Sequence, residues 1–77
     1  AHVARNELLA LLHPLVEAVA DRYAKSGLGR HSLIEAGSEG LATALVHYRA
    51  TGAYKFSAYA TWWIRTRIHQ RLGVPVD

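Results

Sequence analysis

The chain has 77 residues, of which 51% are hydrophobic and none is cysteine, and its formal net charge is +3 at neutral pH. A chain of this length supports one domain, which buries only about 60% of the surface that its unfolded form exposes. Disulfides and thiolate metal sites are excluded. No run approaches the ~18 apolar residues of a membrane span, and no signal-peptide pattern is present. We expect residues 1–77 to form a single cytoplasmic domain, and because an initiator Met is absent we expect the chain to be a fragment of a larger protein.

The first segment is predicted to be helical over residues 5 to 26. Pro14 lacks a backbone N–H and its ring clashes with the preceding turn. We therefore expect either a kink or break at His13 or a second helix that begins at Pro14. Gly27 and Gly29 are expected to end the segment. The prediction rests on apolar residues that recur at spacings of three and four, namely Leu8, Leu12, Leu15, Val16, Val19 and Tyr23.

A second helix is predicted from Ser32 to about Arg49. Ser32 and Glu35 have the spacing of a capping box, in which each side chain bonds the backbone N–H of the other residue. Two internal glycines weaken the helix, but the apolar period continues through them. A loop is predicted at Thr51–Gly52.

The last helix is predicted from Ala58 to Leu72, with Ser57 as its N-cap. Gly73 and Pro75 are expected to stop it. Neither strand alternation nor an internal repeat is present. The sequence therefore predicts an all-α domain, a small bundle of three to five helices.

The last helix has two apolar faces, because successive helical residues turn by about 100°. Ile64 and Ile68 lie on an aliphatic stripe, whereas Tyr59, Trp62 and Trp63 fall on the other side of the helix. A small bundle usually buries one face, so we predict that the aliphatic stripe is core and the aromatic face lies partly in solvent. The alternative, a plain helical scaffold with both faces buried, stays open because large aromatic side chains are mostly buried.

Basic residues share the segment with these aromatic residues. From position 55 onward, four basic residues and one acidic residue give a net charge of +3, and they are Lys55, Arg65, Arg67, Arg71 and Asp77. Nucleic-acid bases stack on aromatic rings with about 1–3 kcal/mol per base, and cations hold the phosphates. Trp, Tyr and Arg are also the common anchors of protein interfaces. The pattern therefore indicates either a nucleic-acid surface or a protein-docking surface.

The stretch KFSAYATWWIR at residues 55–65 closely resembles the promoter-melting helix in region 2 of bacterial RNA polymerase sigma factors. Only Ala58 departs from the family pattern, which has Thr there. Three other stretches resemble sequences of this family and occur in the same order as in the family. They are LVEAVADRYA (15–24), LIEAGSEGLATAL (33–45) and VPVD (74–77). The resemblance implies a sigma region 2-like bundle, and the function that it implies is that of a transcription initiation factor domain.

The resemblance also implies a set of DNA-binding residues on the last helix. Tyr59 would stack on an adenine flipped from the promoter −10 element, and Trp62 and Trp63 would support the upstream edge of the melted bubble. Lys55 and Arg65 would hold the DNA backbone. The full set is Lys55, Tyr59, Trp62, Trp63, Arg65, Thr66 and His69.

Thr66 and His69 depart from the family, which has glutamine and threonine at these positions for reading the −12 base pair. The pair remains polar and could read a base edge. Promoter DNA, with a single-stranded −10 element, is therefore one implied partner.

The second helix is implied to dock on the clamp helices of the largest subunit of the RNA polymerase core. Ser32, Glu35 and Ala42 stand where the family has Asp, Gln and Met, so the acidic and amide-rich surface of the family is reduced here. An anti-sigma factor is a further implied partner. The implied docking residues are Ser32, Ile34, Glu35, Ser38, Glu39 and Ala42.

Catalysis, a metal and a cofactor are not expected. The five histidines lack the spacing that would place two imidazoles on one helix face, and no nucleophile with a neighbouring base is readable. Because the docking residues depart from the family, an alternative function stays open. That alternative is a sigma-derived protein-interaction or regulatory domain with weakened polymerase or DNA binding.

Overall fold

The computed structural model describes residues 5–48 and 55–75, and they form three α-helices. Helix α1 spans Arg5–Asp21, α2 spans Arg30–His47 and α3 spans Phe56–Leu72. No strand occurs in these two described ranges, so the prediction of an all-α bundle is confirmed. The predicted loop at Thr51–Gly52 lies outside the described residues. None of the three helices is both long enough and apolar enough to cross a membrane.

Helix α1 passes through Pro14 without interruption, so the predicted break at His13 and the second helix from Pro14 are both wrong. Pro14 and Ala10 are exposed, and water can therefore reach the carbonyl that loses its hydrogen-bond donor. The helix ends at Asp21, five residues before the predicted end. Tighter turns follow it, in which Tyr23 N–H donates to the Ala20 carbonyl at 2.9 Å.

Helix α2 begins at Arg30, two residues before the predicted start, and the predicted capping box is wrong. Gly29 is the N-cap, and Ser32 lies inside the first turn. The guanidinium of Arg30 binds the carboxylates of Asp21 and Glu17, which joins the start of α2 to the end of α1. The hydrogen bond to Asp21 and the charge of that carboxylate raise the pKa of Arg30. A local capping pattern does not reveal this contact, because the partners of Arg30 lie on α1.

The core lies where the three helices meet and is built from small and branched side chains. Its buried residues are Val16, Val19, Ala20, Leu33, Ala36, Leu41, Ala44, Ala60, Ile64 and Ile68. Helices α2 and α3 lie close together at Gly40. A Cβ atom on Gly40 would lie 2.5 Å from the Trp63 carbonyl oxygen and 2.7 Å from Ile64 Cα. Gly40 therefore lets the backbone of α3 lie directly against α2, next to Trp63.

Helix α3 begins at Phe56 with Lys55 as its N-cap, so the prediction of Ser57 as the N-cap is wrong. Its end is as predicted. Gly73 has φ 77°, in the left-handed region, and Val74 N–H donates to the His69 carbonyl at 3.1 Å. Glycine adopts this conformation without the steric cost that other residues meet, so it ends the helix.

Candidate functional site

The rotation of α3 is fixed by its aliphatic stripe. Ala60, Ile64 and Ile68 are fully buried against α1 and α2, and Leu72 packs partly against the same core. The prediction that this stripe forms the core face is confirmed. The opposite side of the helix therefore faces away from the bundle.

Trp62 lies on that outer side and keeps 50% of its surface exposed. Tyr59 and Trp63 are half-buried, so the predicted aromatic face is divided and not uniformly open. The two indole rings meet edge to face, with centroids 5.1 Å apart and planes at 84°. Trp62 is the member of the pair with a broad free surface.

The C-terminal end of α2 supports the half-buried aromatic residues. His47 stacks on Trp63 with ring centroids 6.0 Å apart and planes at 20°. The ring centroid of Tyr48 lies 5.5 Å from that of Tyr59 and 5.1 Å from that of Phe56, and the Tyr48 and Phe56 rings meet edge to face. We call His47, Tyr48, Phe56, Tyr59, Trp62 and Trp63 the aromatic cluster.

Sequence reasoning missed His47 and Tyr48 as parts of this site. Tyr48 had the apolar spacing of α2, but spacing within one helix does not reveal a partner on another. The Trp63 Nε1–H group is buried and has no hydrogen-bond partner among the described residues. Such a group lowers stability by about 1–3 kcal/mol unless a ligand or water accepts its hydrogen bond.

The basic residues of α3 are divided between two surfaces. Lys55 is exposed and Arg65 is partly exposed, and neither makes an ion pair in the described part of the chain. Both fall within about 60° of Trp62 around the helix. Arg67 and Arg71 instead turn toward α2, where Arg67 Nη2 donates to Thr43 Oγ1 at 3.1 Å. Of the described basic residues on α3 and at its N-cap, Lys55 and Arg65 therefore lie beside the exposed Trp62.

The polar groups of Thr66 and His69 are engaged within the chain. Thr66 Oγ1 donates to the Trp62 carbonyl at 2.7 Å. His69 Nδ1 lies 2.9 Å from the Pro75 carbonyl oxygen, and its Nε2 lies 2.7 Å from the Tyr23 hydroxyl. A carbonyl only accepts, so Nδ1 carries the proton and, in the neutral ring, Nε2 accepts from Tyr23. His69 thereby joins α3 to the turn after α1 and to the segment after α3.

The predicted docking residues lie along α2. Five of them fall within about 60° of Glu35 around the helix, whereas Ile34 turns toward the core. The five are Ser32, Glu35, Ser38, Glu39 and Ala42. Glu35 and Glu39 are exposed, and both bind Arg71 of α3, at 3.1 Å and 3.4 Å.

Metal binding has no support in the described ranges, where no three His, Asp or Glu side chains come together. The residues described above are suited to stacking, to holding phosphates and to pairing with cations.

These features define a small helical domain. Helix α3 carries an exposed tryptophan with a cation on either side, and the neighbouring α2 carries an acidic surface. Residues 8–73 match the family model described as Sigma-70 region 2, so the chain belongs to the sigma-70 region 2 family, as the resemblance implied. The chain is also 50% identical over 59 residues to the RNA polymerase principal sigma factor HrdD of Streptomyces griseus. The same identity and length hold for HrdD of Streptomyces coelicolor (strain ATCC BAA-471 / A3(2) / M145) and of Streptomyces viridifaciens. The matched region is 77% of this chain and 18% of each relative, so the chain spans about a fifth of the relatives' length.

Proposed function

We propose that this domain acts in transcription initiation, where it binds and melts promoter DNA and docks on RNA polymerase. Membership of the sigma-70 region 2 family supports the general role. The observation that supports the DNA-binding role most directly is Trp62. Half of its surface is exposed, although a tryptophan gains more than most side chains from burial. A large exposed ring beside cations that make no ion pair with any described residue is suited to a ligand that supplies both a flat apolar face and negative charge.

Single-stranded DNA has both properties. An unstacked base would stack on the free surface of Trp62, while Trp63 would brace that ring from below with the support of His47. Tyr59 would receive a second base at the edge of the aromatic cluster. Lys55 and Arg65 would hold the phosphates, which makes binding sensitive to salt. Capture of unstacked bases stabilises the open strand, and this is the melting step.

Thr66 and His69, the other two predicted DNA-binding residues, differ in how readily they could contact DNA. Thr66 donates its hydroxyl proton to the Trp62 carbonyl, and its oxygen keeps lone pairs that could accept from an amino group on a base edge. His69 has both ring nitrogens engaged, so it reaches a base only if Tyr23 or Pro75 releases it. We therefore assign base contact to Thr66 before His69.

The docking role belongs to the outer surface of α2. Glu35 and Glu39 lie one turn apart and are exposed, which suits a partner with basic side chains. The clamp helices of the largest polymerase subunit are the partner that we propose for this surface.

The DNA-binding role is tested by fluorescence anisotropy of a labelled single strand that contains a −10-type sequence. We expect Trp62→Ala to weaken binding by about 5- to 150-fold, because a stacked base contributes about 1–3 kcal/mol. Leu11→Ala is the matched control, since Leu11 is an apolar side chain on α1 with 73% of its surface exposed. Equal affinity of Trp62→Ala and the unaltered chain would exclude Trp62 as a stacking platform.

A second candidate function is a protein-interaction or regulatory domain with weakened polymerase or DNA binding. One observation favours it: Glu35 and Glu39 are already paired with Arg71 inside the domain. Failure of the labelled strand to bind at low salt, combined with retained binding of a protein partner, would favour this candidate over the first.

A further inference from the structure

Arg71 binds both acidic side chains of the proposed docking surface. Its Nη1 donates to Glu35 Oε1 at 3.1 Å, and its Nη2 donates to Glu39 Oε1 at 3.4 Å. Glu35 and Glu39 are one helical turn apart, so one guanidinium with two donor ends reaches both. The surface that should attract a basic partner therefore already holds a cation.

The register of the two helices makes this contact. Arg67 lies one turn before Arg71 on α3 and donates to Thr43, which lies one turn after Glu39 on α2. The two arginines therefore follow α2 in reverse order, as antiparallel helices require. Arg71 is held over the acidic residues by the packing of α3 and not only by its own charge.

The two ion pairs of Arg71 are exposed to water, which weakens them. Exposure does not change the negative charge that Arg71 offsets. The Glu35 and Glu39 side chains are each 54% exposed and Arg71 is 34% exposed. Exposed pairs stabilise a fold only slightly, so the domain does not depend on them for folding. Arg71 nevertheless offsets one of the two negative charges that a basic partner would meet.

We propose that Arg71 is an internal competitor that sets the affinity of the α2 surface for a basic protein partner. A partner cation gains access to Glu35 and Glu39 by displacing the guanidinium of Arg71 or by sharing the carboxylates with it. This inference rests on the proposed docking function. It assigns to Arg71 a role at the protein surface and leaves the DNA contacts to Lys55 and Arg65.

Binding of the 77-residue chain to the RNA polymerase core of Streptomyces coelicolor tests the inference. We expect Arg71→Gln to bind the core about two- to fivefold more tightly, the scale expected when one or two exposed ion pairs are removed. Arg22→Gln removes the same charge from an exposed position that makes no ion pair in the described residues, and it should leave the affinity unchanged. The gain should vanish when Glu35 and Glu39 are replaced by Gln. Thermal unfolding of each variant verifies that it is folded.

Three results would overturn the proposal, and they differ in what else they exclude. If the unaltered chain binds and Arg71→Gln binds equally or more weakly, Arg71 only fastens the two helices and docking stands. If Arg22→Gln gains as much affinity as Arg71→Gln, net charge is responsible and the specific contact is not. If no form of the chain binds the core, the proposed docking function fails, and the role of Arg71 fails with it.

Discussion

Gly40→Ala should destabilise the domain through the backbone of α3. The added Cβ would lie 2.5 Å from the Trp63 carbonyl oxygen and 2.8 Å from Ile64 N. Ordinary contacts begin near 3.4 Å, so the nearer pair must separate by about 0.9 Å (3.4 − 2.5). These are backbone atoms, and no side-chain rotation relieves the overlap. The backbones of α2 and α3 must therefore move apart at this point.

The expected loss of stability follows from two opposing effects. Overpacking of a well-packed interior costs about 1–3 kcal/mol, and a backbone clash belongs at the upper end of that range. Replacing glycine by alanine inside a helix raises the free energy of unfolding by about 1 kcal/mol. The net loss is therefore about 2 kcal/mol, which corresponds to a decrease in Tm of about 8–16 °C for a domain of this size.

Circular dichroism during thermal and urea unfolding measures this loss. Gly37→Ala is the matched comparison, because its Cβ would meet only side-chain atoms and at longer distances, Val16 Cγ1 at 2.8 Å and Ile64 Cγ2 at 3.2 Å. We expect a smaller loss there than at Gly40, together with an altered tryptophan emission spectrum for Gly40→Ala alone. A Gly40→Ala protein as stable as the unaltered chain would refute the close approach of α2 and α3.

Three further predictions concern the ends of α3 and its charge. Gly73→Ala should lower the free energy of unfolding by about 1–2 kcal/mol, because Gly73 has φ 77° and alanine is strained there; no change in urea unfolding would contradict the left-handed cap. Tyr23→Phe should cost about 0.5–1.5 kcal/mol by removing the hydrogen bond to His69, and an unaltered midpoint would mean that this bond does not stabilise the fold. The logarithm of the affinity for single-stranded DNA should fall with the logarithm of salt concentration with a slope of about −1.4 if Lys55 and Arg65 are the two phosphate contacts. A slope unaltered in Lys55→Gln would remove Lys55 from the interface.

The helical content and the core face could be predicted because they depend on spacing along one chain segment. Ile64 and Ile68 are four residues apart, and that period alone places them on one side of a helix. The start of α2 could not be predicted in this way. Arg30 binds Asp21 and Glu17 on another helix, and a capping pattern within residues 32–35 contains no information about that contact.

The division of the aromatic face also depends on a second helix. Trp62 and Trp63 are adjacent in sequence, yet the end of α2 covers only Trp63, through His47. Likewise, two internal glycines weaken an isolated helix, but Gly40 permits a close approach between α2 and the backbone of α3. Both features depend on which side of α3 packs on α2. The spacing of residues within α3 does not identify that side.

Acrylamide quenching of a chain with Trp62 as its only tryptophan, in the Trp63→Phe variant, tests the central claim most directly. Trp62 is 50% exposed, so it should be quenched readily in the free domain and protected when single-stranded −10-type DNA is added. Trp63, observed alone in Trp62→Phe, should be quenched less in the free domain, and DNA should alter its quenching less. Quenching of Trp62 that stays the same at saturating DNA would contradict the assignment of this surface to stacked bases.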